Sequence, residues 1–129
     1  MVKILFAAPD PRLTNIYSQK LKQQSFVVDS VHDGLSALRL FNASPVHIVI
    51  SEYELPILSG IALLKFIRSH RTHYSIPFIF FTDHQDNSLA LGLGANDWIE
   101  KQDAVPEFLI DRIYHHLKVN KNLILNHGI

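Results

Sequence analysis

Five short apolar runs, separated by segments with helical spacing, constrain this chain more than any other feature. Val2 to Ala8, Phe26 to Val31, Val46 to Ser51 and Pro77 to Phe81 hold five to seven residues each, and a weaker run follows at Asp97 to Glu100. Runs that are apolar along their whole length, without alternation, belong to strands covered on both faces, as in a parallel sheet. Between them apolar residues recur at helical intervals: Leu13, Ile16, Tyr17 and Leu21, then Leu35, Leu38 and Phe41, then Ile61, Leu64 and Ile67. The last and longest such segment carries Val105, Leu109, Arg112, Ile113 and Leu117. Asp10 before Pro11, Asp33, Ser59 and Asp103 supply helix N-caps at the expected starts. Strict alternation with right-handed crossovers predicts an α/β fold, a doubly wound parallel sheet of five strands, with ligands outside the carboxyl ends of the strands.

Composition narrows the chemistry. The chain has 129 residues, enough for one core, and its 12 Lys and Arg balance 12 Asp and Glu, so no basic field drives direct nucleic acid binding. No cysteine is present, which excludes disulfides, thiolate zinc sites and cysteine nucleophiles. The apolar runs fall far short of the ~20 residues that span a bilayer. The N-terminal MVKILFAAPD is too brief for a signal peptide, so a cytoplasmic protein is expected. Residues 1–118 read as one domain, and residues 119–129, VNKNLILNHGI, as a C-terminal extension or a linker stub.

A doubly wound sheet gathers at one rim the residues that follow its strands: Ala8, Pro9 and Asp10, then Glu52, then Thr82 and Asp83, then Lys101. That set, carried by KILFAAPDP, VHIVISEYELPILSG, PFIFFTD and GANDWIEK in order, resembles the receiver domain of two-component response regulators, of CheY-like, flavodoxin-like (βα)5 architecture. The resemblance covers almost the whole chain. It implies a phosphorylated aspartate after the third strand and an acidic pair after the first strand that holds Mg²⁺. It also implies a Thr or Ser after the fourth strand and a Lys after the fifth that attend the phosphoryl group.

Thr82 and Lys101 match their positions, whereas the acidic pair is replaced by Ala8 and Pro9, and the phosphoacceptor position holds Glu52. Mg²⁺ leans on one or two carboxylates plus the phosphate, so this loss leaves Glu52 nearly alone. Glutamate is also one methylene longer than aspartate, and misplacements of about 1 Å can cost roughly 10²-fold in rate. Loss or heavy weakening of phosphotransfer and of Mg²⁺ binding is expected. Two readings stand for Asp10, a helix cap and a metal ligand. For Glu52 the readings are an idle rim carboxylate and a permanent charge that pairs with Lys101 and partly imitates phosphoaspartate.

Trp98 stands where the resemblance implies a switch aromatic, and it reads either as a fixed packing residue or as a crowded switch. Gln102 replaces the proline that follows the lysine in the family, so a trans bond is expected there. The stretch from Thr82 to Lys101 is about one helical turn short for the family. Gly92 and Gly94 weaken its helix further, leaving His84 to Leu93 as the least ordered segment. Asp97 and Arg112 match positions that pair on the face formed by the fourth helix, fifth strand and fifth helix, a candidate homodimer interface. His70 and His73 are read as closing a helix end, and the adjacent His115 and His116 as pointing to different faces, so neither pair is read as metal ligands.

These readings combine into a degenerate pseudo-receiver, a cofactor-free signalling module and not an enzyme. It acts through a protein partner: a histidine kinase, an output domain or another signalling protein. The alternatives are a phosphorylatable receiver that regulates an output domain outside this chain, DNA-binding in some versions, and a flavodoxin-like binder of a flavin or nucleotide. The last needs a phosphate loop of small residues that Ala8-Pro9-Asp10-Pro11 does not provide.

Overall fold

The computed structural model describes residues 1–84, 86–103 and 105–117. The expected extension at residues 119–129 lies outside the described residues. Five strands form one parallel sheet: β1 (Lys3–Ala7), β2 (Val27–Val31), β3 (Ile48–Glu52), β4 (Phe78–Thr82) and β5 (Asp97–Glu100), in the order β2-β1-β3-β4-β5. Helices α1 (Pro11–Gln23), α2 (Gly34–Ala43), α3 (Gly60–Arg68), α4 (Ser88–Gly92) and α5 (Pro106–Leu117) connect and cover them.

The sheet's two faces separate the apolar residues by parity, because side chains alternate along a strand. Ile4, Phe6, Ile48, Ile50, Ile79, Phe81 and Ile99 pack under α1 and α5 against Tyr17, Leu21, Leu109 and Ile113. Leu5, Ala7, Val49, Phe78 and Phe80 pack on the other side against Ala37, Phe41, Leu63, Leu64, Ile67 and Ala90. β3 and β4 are buried at every position and β1 at all but Lys3. β2 and β5 are the sheet edges and keep partly exposed positions, so cover on both faces holds for the three central strands and not for all five.

Three caps follow the expected pattern: Asp10 accepts from the Arg12 N–H at 2.9 Å, Asp33 from Ser36 at 2.7 Å and Ser59 from Ala62 at 3.1 Å. Asp103 does not cap the last helix. It lies in a 3₁₀ turn, Lys101–Asp103, and the carbonyl of Val105 accepts the first helical bond, from Leu109 at 3.1 Å. Val105 and Ile16 also depart from their expected core positions, at 54% and 56% exposed, because the core-facing stripes of α5 and α1 run through Leu109 and Ile113 and through Tyr17 and Leu21. α4 has only five residues, as the short fourth connection foretold, and Gly94 ends the segment at a φ of 101°.

Arg68 ties this abbreviated side together. It donates to the carbonyls of Tyr74, Ile76 and Gly94 and to Asn96 Oδ1, at 2.7 to 3.0 Å, clamping the loop before β4 to the loop before β5. On the opposite rim the β3–α3 loop is equally tight. A Cβ on Gly60 would stand 2.4 Å from the Glu52 carbonyl oxygen, so only glycine lets α3 begin this close to the end of β3.

In that loop Ile57 adopts a φ of 71° inside a three-residue turn closed by the Leu58 N–H on the Pro56 carbonyl at 2.7 Å. Its side chain is 77% exposed and gains no burial in return for a conformation that β-branched residues avoid. The strain is on the order of 1–3 kcal/mol, against about 0.5–1 kcal/mol of added chain entropy for glycine. Ile57→Gly is therefore expected to raise unfolding stability by about 1 kcal/mol in urea titrations; a loss would show that the isoleucine makes a stabilising contact.

Candidate functional site

In a parallel sheet every strand delivers its carboxyl end to the same rim, and strand order reverses between β1 and β3. There a cleft of about 340 Å³ is lined by Pro9, Glu52, Glu54, Thr82, Asp83, His84 and Lys101. Glu52 and Thr82 are the terminal residues of β3 and β4, not loop residues, and are 8% and 3% exposed. Lys101 opens the 3₁₀ turn after β5 and reaches back so that its ammonium bonds Glu52 Oε1. The same ammonium lies 3.9 Å from Asp83 and 6.0 Å from the centre of the Phe81 ring.

The cleft brings Glu52, Thr82 and Lys101 together and leaves the first loop outside the chemistry. Ala8 is fully buried, its N–H bonded to the Val31 carbonyl at 3.1 Å and its own carbonyl accepting from His32 Nδ1 at 3.1 Å. Pro9 lines the cleft without a donor atom. Asp10 is committed to α1, where hydrogen bonds from the Arg12 side chain and backbone N–H hold its carboxyl below the usual range. A receiver-type Mg²⁺ site does not fit these residues: the loop after β1 offers it no free carboxylate, and Glu52 is already taken by Lys101. Among the described residues no group of three or more His, Asp or Glu can hold a metal ion.

Burial pushes the Glu52 carboxyl above its ordinary range, and the bond and charge of Lys101 offset only part of that shift. Two further acids line the cleft. Glu54 pairs with His84 Nε2 at 2.7 Å, and Asp83 stands beside Lys101, so Glu52 is not the lone acid that the residues after β1 and β3 lead one to expect. Nothing in the spacing marked Glu54 and His84 as partners, because they lie 30 positions apart and meet only where the β3 and β4 loops converge.

His84 is the junction of this rim. Its N–H bonds Thr82 Oγ1 at 3.1 Å, its ring packs 4.6 Å from that of Tyr53, and its carbonyl accepts from Trp98 Nε1 at 3.2 Å. Trp98 is thereby half-buried, packed against Tyr53 and Phe80 with centroids at 5.6 and 5.7 Å. No peptide bond among the described residues is cis, so Gln102 follows Lys101 in trans.

Asp97 and Arg112 bond within the chain at 2.6 Å, and His116 joins the same carboxylate oxygen at 2.7 Å. The cluster is largely shielded from solvent, the Asp97, Arg112 and His116 side chains being 16%, 32% and 12% exposed. Burial alone would raise the Asp97 carboxyl, but bonds from His116, Arg112 and the Trp98 N–H outweigh it and hold it low. His115 points away to solvent. The rings of His70 and His73 stack at 5.2 Å beside Phe41, and His70 Nδ1 accepts from the Thr72 and His73 N–H groups, an arrangement that closes the end of α3.

The sequence model of the response regulator receiver domain matches residues 4–113. The chain belongs to that family. Relatives of this receiver include the transcriptional regulatory protein CpxR of Escherichia coli, 35% identical over 78% of this chain and 43% of CpxR. A probable chemotaxis protein CheY of Rhizobium etli is 27% identical over 91% of this chain and 95% of its own length. The crystal structure of a putative response regulator from Chloroflexus aurantiacus superposes with a TM-score of 0.84 at 23% identity, covering 92% of this chain and 98% of that one. Other curated relatives are longer, and the chain spans 21% to 40% of their lengths. Receiver domains are signalling modules and generally not enzymes.

The two acids of this receiver carry opposite pH signatures. Glu52 has a raised folded pKa, so its contribution is fully present below its unfolded pKa and is lost as pH rises through the folded value. Glu52→Gln keeps an acceptor for Lys101, and its stability at pH 7 is expected to equal or exceed the parent's by no more than about 1 kcal/mol, the difference shrinking toward pH 4 in urea unfolding. Asp97 has a lowered folded pKa, so its contribution is present above the unfolded value and lost as pH falls through the folded one. Asp97→Asn is expected to cost about 1–3 kcal/mol at pH 7, with the deficit beginning to shrink below about pH 3.9 and vanishing only once the pH falls below the lowered folded value.

Proposed function

We propose that this receiver signals without a phosphorylation cycle, its Glu52–Lys101 ion pair standing where phosphoaspartate and its lysine would meet. The observation that carries this reading is the bond from Lys101 to Glu52, in a cleft where the first loop supplies no free carboxylate. Phosphoryl transfer depends on positioning plus cations that neutralise the equatorial oxygens, and here the lysine is already neutralised by a carboxylate. One carboxylate charge is a partial copy of a phosphoryl group carrying about two. The pair therefore favours one fixed state over a switched one.

Function in this reading is protein binding within two-component signalling, with a histidine kinase, an output domain or another signalling protein as partner and no resident cofactor. Asp10, tied to α1 and Arg12, lends no support to a rebuilt metal site. The bonded Ala8 N–H and the prolines at 9 and 11 likewise leave no phosphate-binding loop for a flavin or nucleotide. No helix among the described residues is long and apolar enough to cross a membrane, which supports a cytoplasmic setting.

The test is incubation with acetyl phosphate or beryllofluoride and Mg²⁺, followed by intact mass and by Trp98 emission. No adduct and no saturable Mg²⁺-dependent change are expected. Either one would establish a working receiver instead. The triple variant Ala8→Asp, Pro9→Asp, Glu52→Asp serves as the positive arm, and recovered Mg²⁺ binding there would place the loss in the acids.

A further inference from the structure

Charge is balanced over the whole chain but not along it. No Asp or Glu occurs between Asp33 and Glu52 or between Glu54 and Asp83, the two stretches that hold α2 and α3. Formal charge there is wholly positive, from Arg39, Lys65, Arg68 and Arg71. Lys65 and Arg71 are exposed and make no salt bridge among the described residues. Arg68 bonds carbonyl oxygens and Asn96 Oδ1, so no carboxylate offsets its charge either. A helix dipole places only about half a negative charge at the carboxyl end of α3, which leaves most of these three cations uncompensated.

The same helix leaves apolar surface in water. Leu63, Leu64 and Ile67 face the core, whereas Phe66 is 53% exposed. Ala62, Lys65, Phe66 and Ser69, spaced i, i+3, i+4 and i+7, form one outward stripe around a depression of about 230 Å³. The Ser69 hydroxyl donates to the Lys65 carbonyl at 2.8 Å and is thereby satisfied within the helix. Pockets for small molecules run to about 300–1,000 Å³, so this depression is undersized for one. Its spacing and scale are those of the hole that receives a side-chain knob from a packing helix.

We propose that the outer face of α3 docks an acidic amphipathic helix of a partner protein. An aliphatic side chain of that helix enters the depression over Ala62 and Phe66, and carboxylates flanking it meet Lys65 and Arg71. Charge complementarity selects this occupant: the unpaired cations attract an acidic helix and repel a basic one, including the α3 of a second copy. Single-stranded nucleic acid needs several aromatic platforms for its bases, and Phe66 is the single aromatic of the stripe. Glu52 and Lys101 take no part, so the proposal stands apart from whether the cleft accepts phosphate.

The probe is a synthetic helical peptide with Leu along one face and Glu along the other, titrated into the isotope-labelled chain and followed by amide chemical shifts. Shifts are expected to concentrate in residues 60–74, with a dissociation constant at or below about 1 mM. Phe66→Ser, and the double variant Lys65→Glu, Arg71→Glu, should each weaken binding at least about ten-fold while keeping the parent's amide dispersion. Added salt should weaken binding to the parent and not to the charge-reversed variant. A scrambled peptide and one with Lys in place of Glu serve as controls on the parent chain itself, so the outcome does not hang on how any variant folds. The proposal is overturned by an absence of shifts in residues 60–74 or by equal affinity for either control peptide. Shifts in those residues that grow with protein concentration alone would assign the face to a second copy instead. Tighter binding of single-stranded RNA or of phosphatidylserine vesicles than of the acidic peptide would likewise overturn it.

Discussion

Burial of β1, β3 and β4 on both faces is the constraint from which the rest of this receiver follows. A parallel sheet needs crossover helices, the helices cover both faces, and side chains at the strand centres become wholly apolar. Polar groups are then admitted only where the strands end, and all five ends lie on one side. Glu52 and Thr82 show how sharp that boundary is, since each is the last residue of a strand whose preceding residues are fully or almost fully buried.

A carboxylate at such a boundary is largely desolvated, and its energetics turn on its partner. Lys101 offsets part of the cost of holding charge on Glu52, but burial still outweighs it. Buried ion pairs are weak sources of stability, and removing one partner costs more than the pair supplies. The Glu52–Lys101 contact therefore fixes the position of the Lys101 turn more than it strengthens the fold. Asp97 is the contrasting case. Burial is opposed there by two side chains and a backbone N–H converging on one carboxylate, and the balance falls toward the ion.

His84 joins the cleft to β5. It touches Thr82 and Glu54 on the cleft side and receives the Trp98 indole on the other. Four-residue β5 and five-residue α4 are short enough that a few contacts, the Arg68 clamp among them, set the position of this whole side. A single hydrogen bond joins the Thr82–His84 loop to the indole, which Tyr53 and Phe80 also pack against.

Sequence alone determined the element order, the parallel class of the sheet, three of the helix caps and the shortened fourth helix, because each depends on local periodicity or on one residue beside a helix start. It also determined that the first loop holds Ala8 and Pro9 where a receiver has acids. Only the tertiary structure decided which rim residues touch. Glu54 meets His84, His116 joins Asp97 and Arg112, and Lys101 reaches Glu52 across 49 positions of chain (101 − 52), pairings that arise from strand order and loop convergence. The same holds for exposure: Ile16 and Val105 fit a helical stripe on paper yet face solvent, since the stripe that becomes buried is chosen by how each helix rolls on the sheet. Burial around Glu52, and with it the raised affinity of that carboxyl for its proton, likewise depends on neighbours brought in by four different strands.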